Sequence, residues 1–479
     1  MPFHFINNDD VLNDGVKKQI RSYAAVGRNK GRKISRRSRK DVSTLAATTP
    51  FRIPLTLVEE LPAERHDSNE VIERPVGDGL FFPGLLPGES NGVVKKVISF
   101  MSAMRFPYEL NHGLDYGGLG APLCVQNMFI DEACFHSTMA MALLCMDNIV
   151  SQPGDKVLVL RHASNTVRLV NQKLSLNRAV NDLTIAAVVS MAQYEYRQNK
   201  LQQGSAHVQG LWQIVQLRGC LSNPISSTAG LVQKILRIDL EYALQLGSPT
   251  LFSLEEVEMA CKPVAHFPSL RLPSDPSNYP QTLEPYTLKA LPAKDRDLFI
   301  DVLLLASLLN KAIAGVAPKL HAVELDQDMI LLGYRLLRLK PLGLPPGTSR
   351  LQHRVHLGMA AFLMTFLHGW DGSVTQNDAL VGLLLSEVQR PFNSDENDLE
   401  TFLWLLFIGA ASLSLWKHPK WISITKDILQ GLKVKRWEDV KELLARYPWV
   451  NAVHDPAGQE LWHGSNDGNC SGLCEVCDP

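Results

Sequence analysis

The chain has 479 residues, 45% of them hydrophobic and 20% charged, the proportions of an ordinary globular protein with enough apolar surface for one large helical domain or two packed halves. Its net charge of -1 conceals an asymmetry: residues 1–40 hold 11 Lys/Arg against 3 Asp/Glu (+8) and the remainder 37 against 46 (-9). Attraction to polyanions is therefore confined to the N-terminal segment.

The opening residues Met1 to Asp10 carry no apolar run and no small-residue cleavage site, so an intracellular, reducing compartment is expected, with free thiols for the eight cysteines. Residues 1–93 read as a basic, then Pro/Gly-rich, largely disordered arm. Within it Arg28, Lys30, Arg32, Lys33, Arg36, Arg37, Arg39 and Lys40 place eight positive charges in thirteen residues, with no aromatic side chains between them to stack on bases. That pattern fits a nuclear localisation signal or a phosphate-contacting arm whose affinity falls steeply with salt. Base reading would need a positioned helix or strand, so any DNA contact through this arm is weak and non-specific.

Gly88-Glu-Ser90-Asn-Gly92 spells the G-x-S-x-G of a hydrolase nucleophile elbow. The elbow needs a buried strand before the serine, and Pro83, Gly84 and Pro87 break the segment that would supply it. Ser90 or Asn91 near a helix start accounts for the same letters. Gly117-Gly118-Leu-Gly120 lacks the third glycine and the strand of a dinucleotide loop, and no phosphate-binding lysine motif or H-E-x-x-H occurs. The sequence thus points to no catalytic residue, cofactor or metal site, and to a protein that is not an enzyme.

From Val94 to about Trp449 helical periodicity takes over. Ile185, Val188, Val189 and Ala192, then Val208, Leu211, Trp212 and Val215, then Leu231, Ile235, Ile238 and Tyr242 each mark one face of a helix. Asn181 stands where an N-cap belongs, and Gly219 and Gly247 follow the last periodic residues as stops. Seven prolines (Pro263, Pro268, Pro273, Pro276, Pro280, Pro285 and Pro292) define a loop over 263–292, and Pro341, Pro345 and Pro346 break the chain again. Further helices are predicted over Leu298–Ile313, Met329–Leu339, His353–Leu367, Leu399–Trp416 with Ser394 as cap, and Trp437–Tyr447. The uncharged run Phe402–Trp416 spans 15 residues, short of the roughly 20 that cross a bilayer, so it reads as a buried helix and no membrane association is expected. The fold class is all-α, a multi-helix domain of packed amphipathic hairpins over 94–450.

Cys124, Cys134, Cys145 and Cys220 lie in apolar helical contexts and read as core residues. His162, His207 and His368 read as packing histidines. Trp212, Trp404 and Trp416 fit core packing, with the lining of an effector pocket as the other reading. Residues 451–479 have no Lys or Arg and read as an acidic tail. In that tail Cys470, Cys474 and Cys477 are spaced C-x3-C-x2-C, with His463 or His454 as conceivable fourth ligands, but no second C-x-x-C pair completes a zinc site.

The residues from His162 to Phe252, with Asp182-Leu-Thr-Ile-Ala-Ala-Val, His207-x-x-Gly210-Leu-x-x-Ile-Val-x-Leu-Arg218-Gly219 and Asp239-Leu-x-x-Ala-x-x-Leu-Gly247-x-Pro249, resemble the fungal-specific transcription-factor domain that follows the zinc cluster of fungal regulators. The likeness continues in Phe402-Leu-Trp404-x-Leu-Phe-Ile-Gly409, in Trp437-Glu-Asp-Val with Leu443-Leu444 and Pro448-Trp449, and in Gly458-x-x-Leu461-Trp462. Phe5-Ile6-Asn7, followed by Ile20-Arg21-Ser22 and basic residues, is similar to the opening of family members without a zinc cluster. The family's six-cysteine DNA-binding module is missing, because the first cysteine is Cys124. The resemblance implies a nuclear transcriptional regulator that works through protein partners, among them a DNA-binding regulator, and allows a homodimer. A cytoplasmic helical scaffold is the alternative, and a serine hydrolase using Ser90 a more distant one.

Overall fold

The structure is a computed structural model that describes residues 85–86, 91–103, 108–117, 122–147, 155–175, 181–219, 221, 229–261, 290–343, 349–367, 377–390 and 396–466. Among them are sixteen α-helices and one pair of two-residue strands. The all-α prediction is met. The helices in chain order are α1 (Asn91–Ala103), α2 (Leu123–Met128), α3 (Glu132–Asp147), α4 (Asp155–Ser175), α5 (Asp182–Arg197), α6 (Leu201–Leu217), α7 (Ala229–Leu246) and α8 (Leu254–Ala260). They continue with α9 (Ala293–Ile313), α10 (Ala322–Leu339), α11 (Arg350–Leu367), α12 (Asp378–Val388), α13 (Glu396–Leu413), α14 (Pro419–Gly431), α15 (Trp437–Leu444) and α16 (Asn451–Asn466). The strands, β1 (Leu114–Asp115) and β2 (Leu320–His321), form a parallel pair with Leu114 opposite Leu320.

Two helices buried on every face organise the packing. Ala133 to Leu143 of α3 are all buried, as are Phe402 to Ala410 of α13, the mark of a helix enclosed by others. Around α3 pack α1, α2, α4 and α5; around α13 pack α11, α14, α15 and α16. Helices α7 and α10 join the two groups, and the buried side chains form one continuous cluster.

Local signals in the sequence explain the boundaries. The Asn181 side chain accepts from the Thr184 N–H at 2.8 Å, capping α5. Gly219 and Gly247 adopt φ of +99° and +66°, a left-handed conformation that glycine takes without steric cost. Ser253 and Glu256 form a reciprocal capping box at α8, and Asn377, fully buried, caps α12 through the Leu380 N–H at 2.9 Å. Pro341 follows one residue after α10 and holds Lys340 in the extended conformation that ends the helix. Most of the Pro-rich segment 263–292, and Ser394, lie outside the described residues; α9 begins immediately after Pro292.

Three expectations are corrected. Helix α10 starts at Ala322 and α9 at Ala293, earlier than the Met329 and Leu298 predicted, because their charged first turns hide an apolar stripe that tertiary packing completes. Helices α2, α3, α4, α8, α12 and α14 complete the bundle beyond the helices predicted. The acidic tail does not begin at Asn451: through Asn466 the chain is helix α16, with His454, Gly458, Leu461, Trp462 and Ser465 buried against α13 and α14. A polar composition with Pro456 inside it masked a narrow apolar stripe.

Candidate functional site

The eight basic residues Arg28 to Lys40, Ser90, Cys220, His368 and the cysteines Cys470, Cys474 and Cys477 lie outside the described residues. Helix α1 starts at Asn91, next to Ser90. Cys124, Cys134 and Cys145 are buried free thiols, and burial raises the Cys134 thiol far above its ordinary range, so it is inert as a nucleophile. No group of three or more His, Cys, Asp or Glu among the described residues could hold a metal ion.

The family-like motifs fall on packed helices, and their residues have packing reasons. Asp182 at the start of α5 pairs with Arg218 at the end of α6. Asp239 of α7 accepts the N–H groups of Leu251 (3.0 Å) and Phe252 (3.2 Å). Trp404 stacks on Tyr447 at 5.2 Å and donates to the Pro448 carbonyl at 3.0 Å. Gly409 gives room to Trp421, and Gly458 to Trp437 and Trp449. Of the tryptophans weighed as pocket residues, Trp404 is wholly buried in the core, and Trp212 and Trp416 are half-buried.

Buried histidines form a second set. His136 of α3 and His162 of α4 bring their Nδ1 atoms within 2.8 Å, so one ring donates and the other accepts. Burial, then the neighbouring His162, pushes His136 down to about 3, which keeps that ring neutral. Residues 26 apart in sequence meet only because α3 and α4 form a hairpin. His454 has both ring nitrogens engaged, Nδ1 accepting from the Val450 N–H at 2.9 Å and Nε2 paired with Thr365 Oγ1 at 3.2 Å. It is therefore not available as the fourth ligand considered for a terminal metal site, whereas His463 is exposed.

The strongest candidate for ligand chemistry is a polar cleft of about 120 Å³ where the start of α9, the end of α10 and the first turns of α11 converge. It is lined by Asp295, Lys340, Ser349, Gln352, His353 and His356, with Leu339 beside them. Gln352 donates to Asp295 Oδ1 at 3.0 Å, fixing α11 to α9. His353 and His356 sit three residues apart and so share one face of α11. Burial, and then His353, push His356 down to about 4. Its Nε2 is buried and has no hydrogen-bond partner within the protein, while the ring also bonds to the Lys340 backbone. Burial lowers His353 too, against the upward pull of Glu387.

Behind the cleft lies a charge cluster built on one carboxylate. Glu387 of α12, itself fully buried, accepts from Arg354 Nε (2.9 Å) and Arg350 Nε (2.7 Å), and Arg390 lies 3.4 Å from its other oxygen. The Arg354 guanidinium also stacks over the Phe402 ring at 3.9 Å. The sequence reading missed this site. The His353-x-x-His356 spacing on a predicted helix was the one available signal, since Asp295, Lys340 and Glu387 arrive from other elements.

No helix among the described residues is long and apolar enough to cross a membrane. Comparison with models of protein families, with curated proteins and with solved structures finds no match for this chain.

Proposed function

We propose that this chain is a regulatory protein acting in the nucleus through protein partners, one of which supplies sequence-specific DNA binding. The observation that carries the reading is the order of the motifs resembling the fungal-specific transcription-factor domain, which follow one another along a helical body on α5, α6, α7, α13, α15 and α16. The cationic segment Arg28 to Lys40 serves as import signal. Its contact with DNA is electrostatic, without base reading, and weakens steeply as salt rises. The helical body presents faces to partners, and catalysis is not part of the role.

Imaging of the tagged full-length protein, intact and with Arg36, Arg37, Arg39 and Lys40 changed to Ala, tests the reading. Nuclear signal that moves to the cytoplasm in the variant is the expected result. Cytoplasmic signal from both proteins overturns it in favour of an interaction scaffold. Chromatin immunoprecipitation of the same protein should enrich defined promoters, and a flat profile removes the regulatory role.

A further inference from the structure

The net charge of -9 over residues 41–479 conceals a second basic stretch. Residues 417–436 hold six Lys/Arg against one acid, Asp427 (+5). They make up the entry to α14, the helix itself and the link to α15. Trp421, Thr425, Ile428 and Leu429 bury one side of α14, which leaves the charges on the other. Lys417, Lys420, Lys433 and Lys435 are exposed, and Lys426 is half-buried. Arg436 is bonded to Asp439 at 2.8 Å, and Glu438 and Glu442 follow on α15, so the basic surface ends at Lys435. No carboxylate among the described residues pairs with any of the five lysines. Like charges gathered along a helix about 20 Å long and at its ends destabilise the fold by repulsion, and an anionic partner relieves it.

The chemistry of the surface selects the partner. No large hydrophobic side chain of residues 417–436 is exposed, whereas a helix bound to a membrane surface inserts an apolar face. The neighbouring Trp416 is half-buried and carries the Lys417 ammonium over its ring at 4.5 Å, so that ring face is occupied and does not stack a single-stranded base. The aromatic anchors on which protein interfaces depend are missing from this face as well. A row of point charges without anchors fits a duplex, whose backbone presents one negative charge per about 1.7 Å of axis.

We propose that the outer side of α14 with Lys417, Lys420, Lys426, Lys433 and Lys435 is a docking surface for the phosphate backbone of duplex DNA, separate from the N-terminal basic segment. It reads no sequence, because lysines on phosphates position a protein without contacting base edges. The choice of DNA among duplexes rests on the nuclear reading above. The surface itself is measured on purified protein, so imaging and titration can fail separately.

The test is fluorescence anisotropy of a labelled DNA duplex, titrated over a range of salt with the full-length protein in which the eight basic residues Arg28 to Lys40 are changed to Gln. This protein should still bind, with log affinity falling linearly against log salt. Adding Lys417→Gln, Lys420→Gln, Lys433→Gln and Lys435→Gln should weaken binding by about tenfold or more at low salt and reduce the salt slope by about one per lysine. Lys96→Gln, Lys294→Gln, Lys311→Gln and Lys319→Gln, at exposed positions on α1, on α9 and before β2, remove the same charge elsewhere and should leave both quantities unchanged. If the first set does not fold, the pair Lys420→Glu and Lys435→Glu replaces it, with the same loss expected. Absence of duplex binding once the N-terminal segment is neutralised overturns the proposal. Equal losses from the two lysine sets overturn it as well, since net charge alone would then account for the attraction. Tighter binding of single-stranded DNA, duplex RNA, polyglutamate or phosphatidylserine vesicles than of the DNA duplex assigns the surface to another partner and overturns it too.

Discussion

The Tyr334 hydroxyl of α10 donates to Asp239 of α7 at 2.7 Å, joining residues 95 apart in sequence. Asp239 also holds the N–H groups of Leu251 and Phe252, so one carboxylate ties the turn after α7 to both helices. Burial raises Asp239 to about 6 while these three donors pull it back. Tyr334→Phe removes one donor and leaves the buried carboxylate short of a partner. Urea denaturation should show a loss of about 1–3 kcal/mol, and an unchanged midpoint would show that the bond is not what holds the joint.

Glu387 pairs with the wholly buried Arg354 at 2.9 Å. Glu387→Gln removes that buried counter-charge, and the expected cost is about 3–5 kcal/mol. Glu255→Gln, at the exposed 3.6 Å pair with Arg338, should change stability by no more than about 1 kcal/mol. Chemical denaturation of both variants checks the contrast; equal losses would contradict the burial argument.

Glu195 is 1% exposed, with Oε2 unpartnered, and burial lifts its carboxyl to about 7 against a pull from Lys200. The folded state therefore holds a proton that the unfolded state releases near its ordinary value of 4.5. Stability from this group is full below about pH 4.5 and is lost as pH rises through about 7. Glu195→Gln removes that slope. The variant should gain on the wild type between pH 5 and pH 8, by an amount on the order of 3 kcal/mol at the alkaline end. Melting temperatures across that range that run parallel for the two proteins would refute it.

Gly358 of α11 lies against the Trp404 ring of α13, where a methyl group would overlap the indole. Since α11 and α13 share one of the most extensive contacts in the molecule, Gly358→Ala should cost about 1–3 kcal/mol through overpacking. The usual gain of alanine over glycine in a helix should not appear. A rise in melting temperature would mean that Trp404 can move aside.

Much of the body was legible in the amino-acid order. Apolar spacing marked α5, α6 and α7, Asn181 and the glycines at 219 and 247 marked their ends, and the Phe402–Trp416 run identified α13 as a buried helix because those signals act within one or two turns, although the helix stops at Leu413, short of Trp416, where Ser414 turns left-handed. Helix α16 escaped, since a stripe of His454, Leu461 and Trp462 separated by Pro456 and glycine carries little periodic signal of its own. It is held as helix by the partners it meets on α13 and α14.

The candidate site was a different matter. His353 and His356 share a helical face by spacing alone, but the chemistry of the cleft depends on Asp295, Lys340 and Glu387, which are 58, 13 and 34 residues away from His353 in the chain. The same holds for the His136–His162 pair and for the joint at Asp239. The sequence alone determined an all-helical body with a cationic leading segment, because helix formation is decided by local periodicity and caps. Only tertiary structure decided which polar groups meet, because their distances are set by how the rods pack.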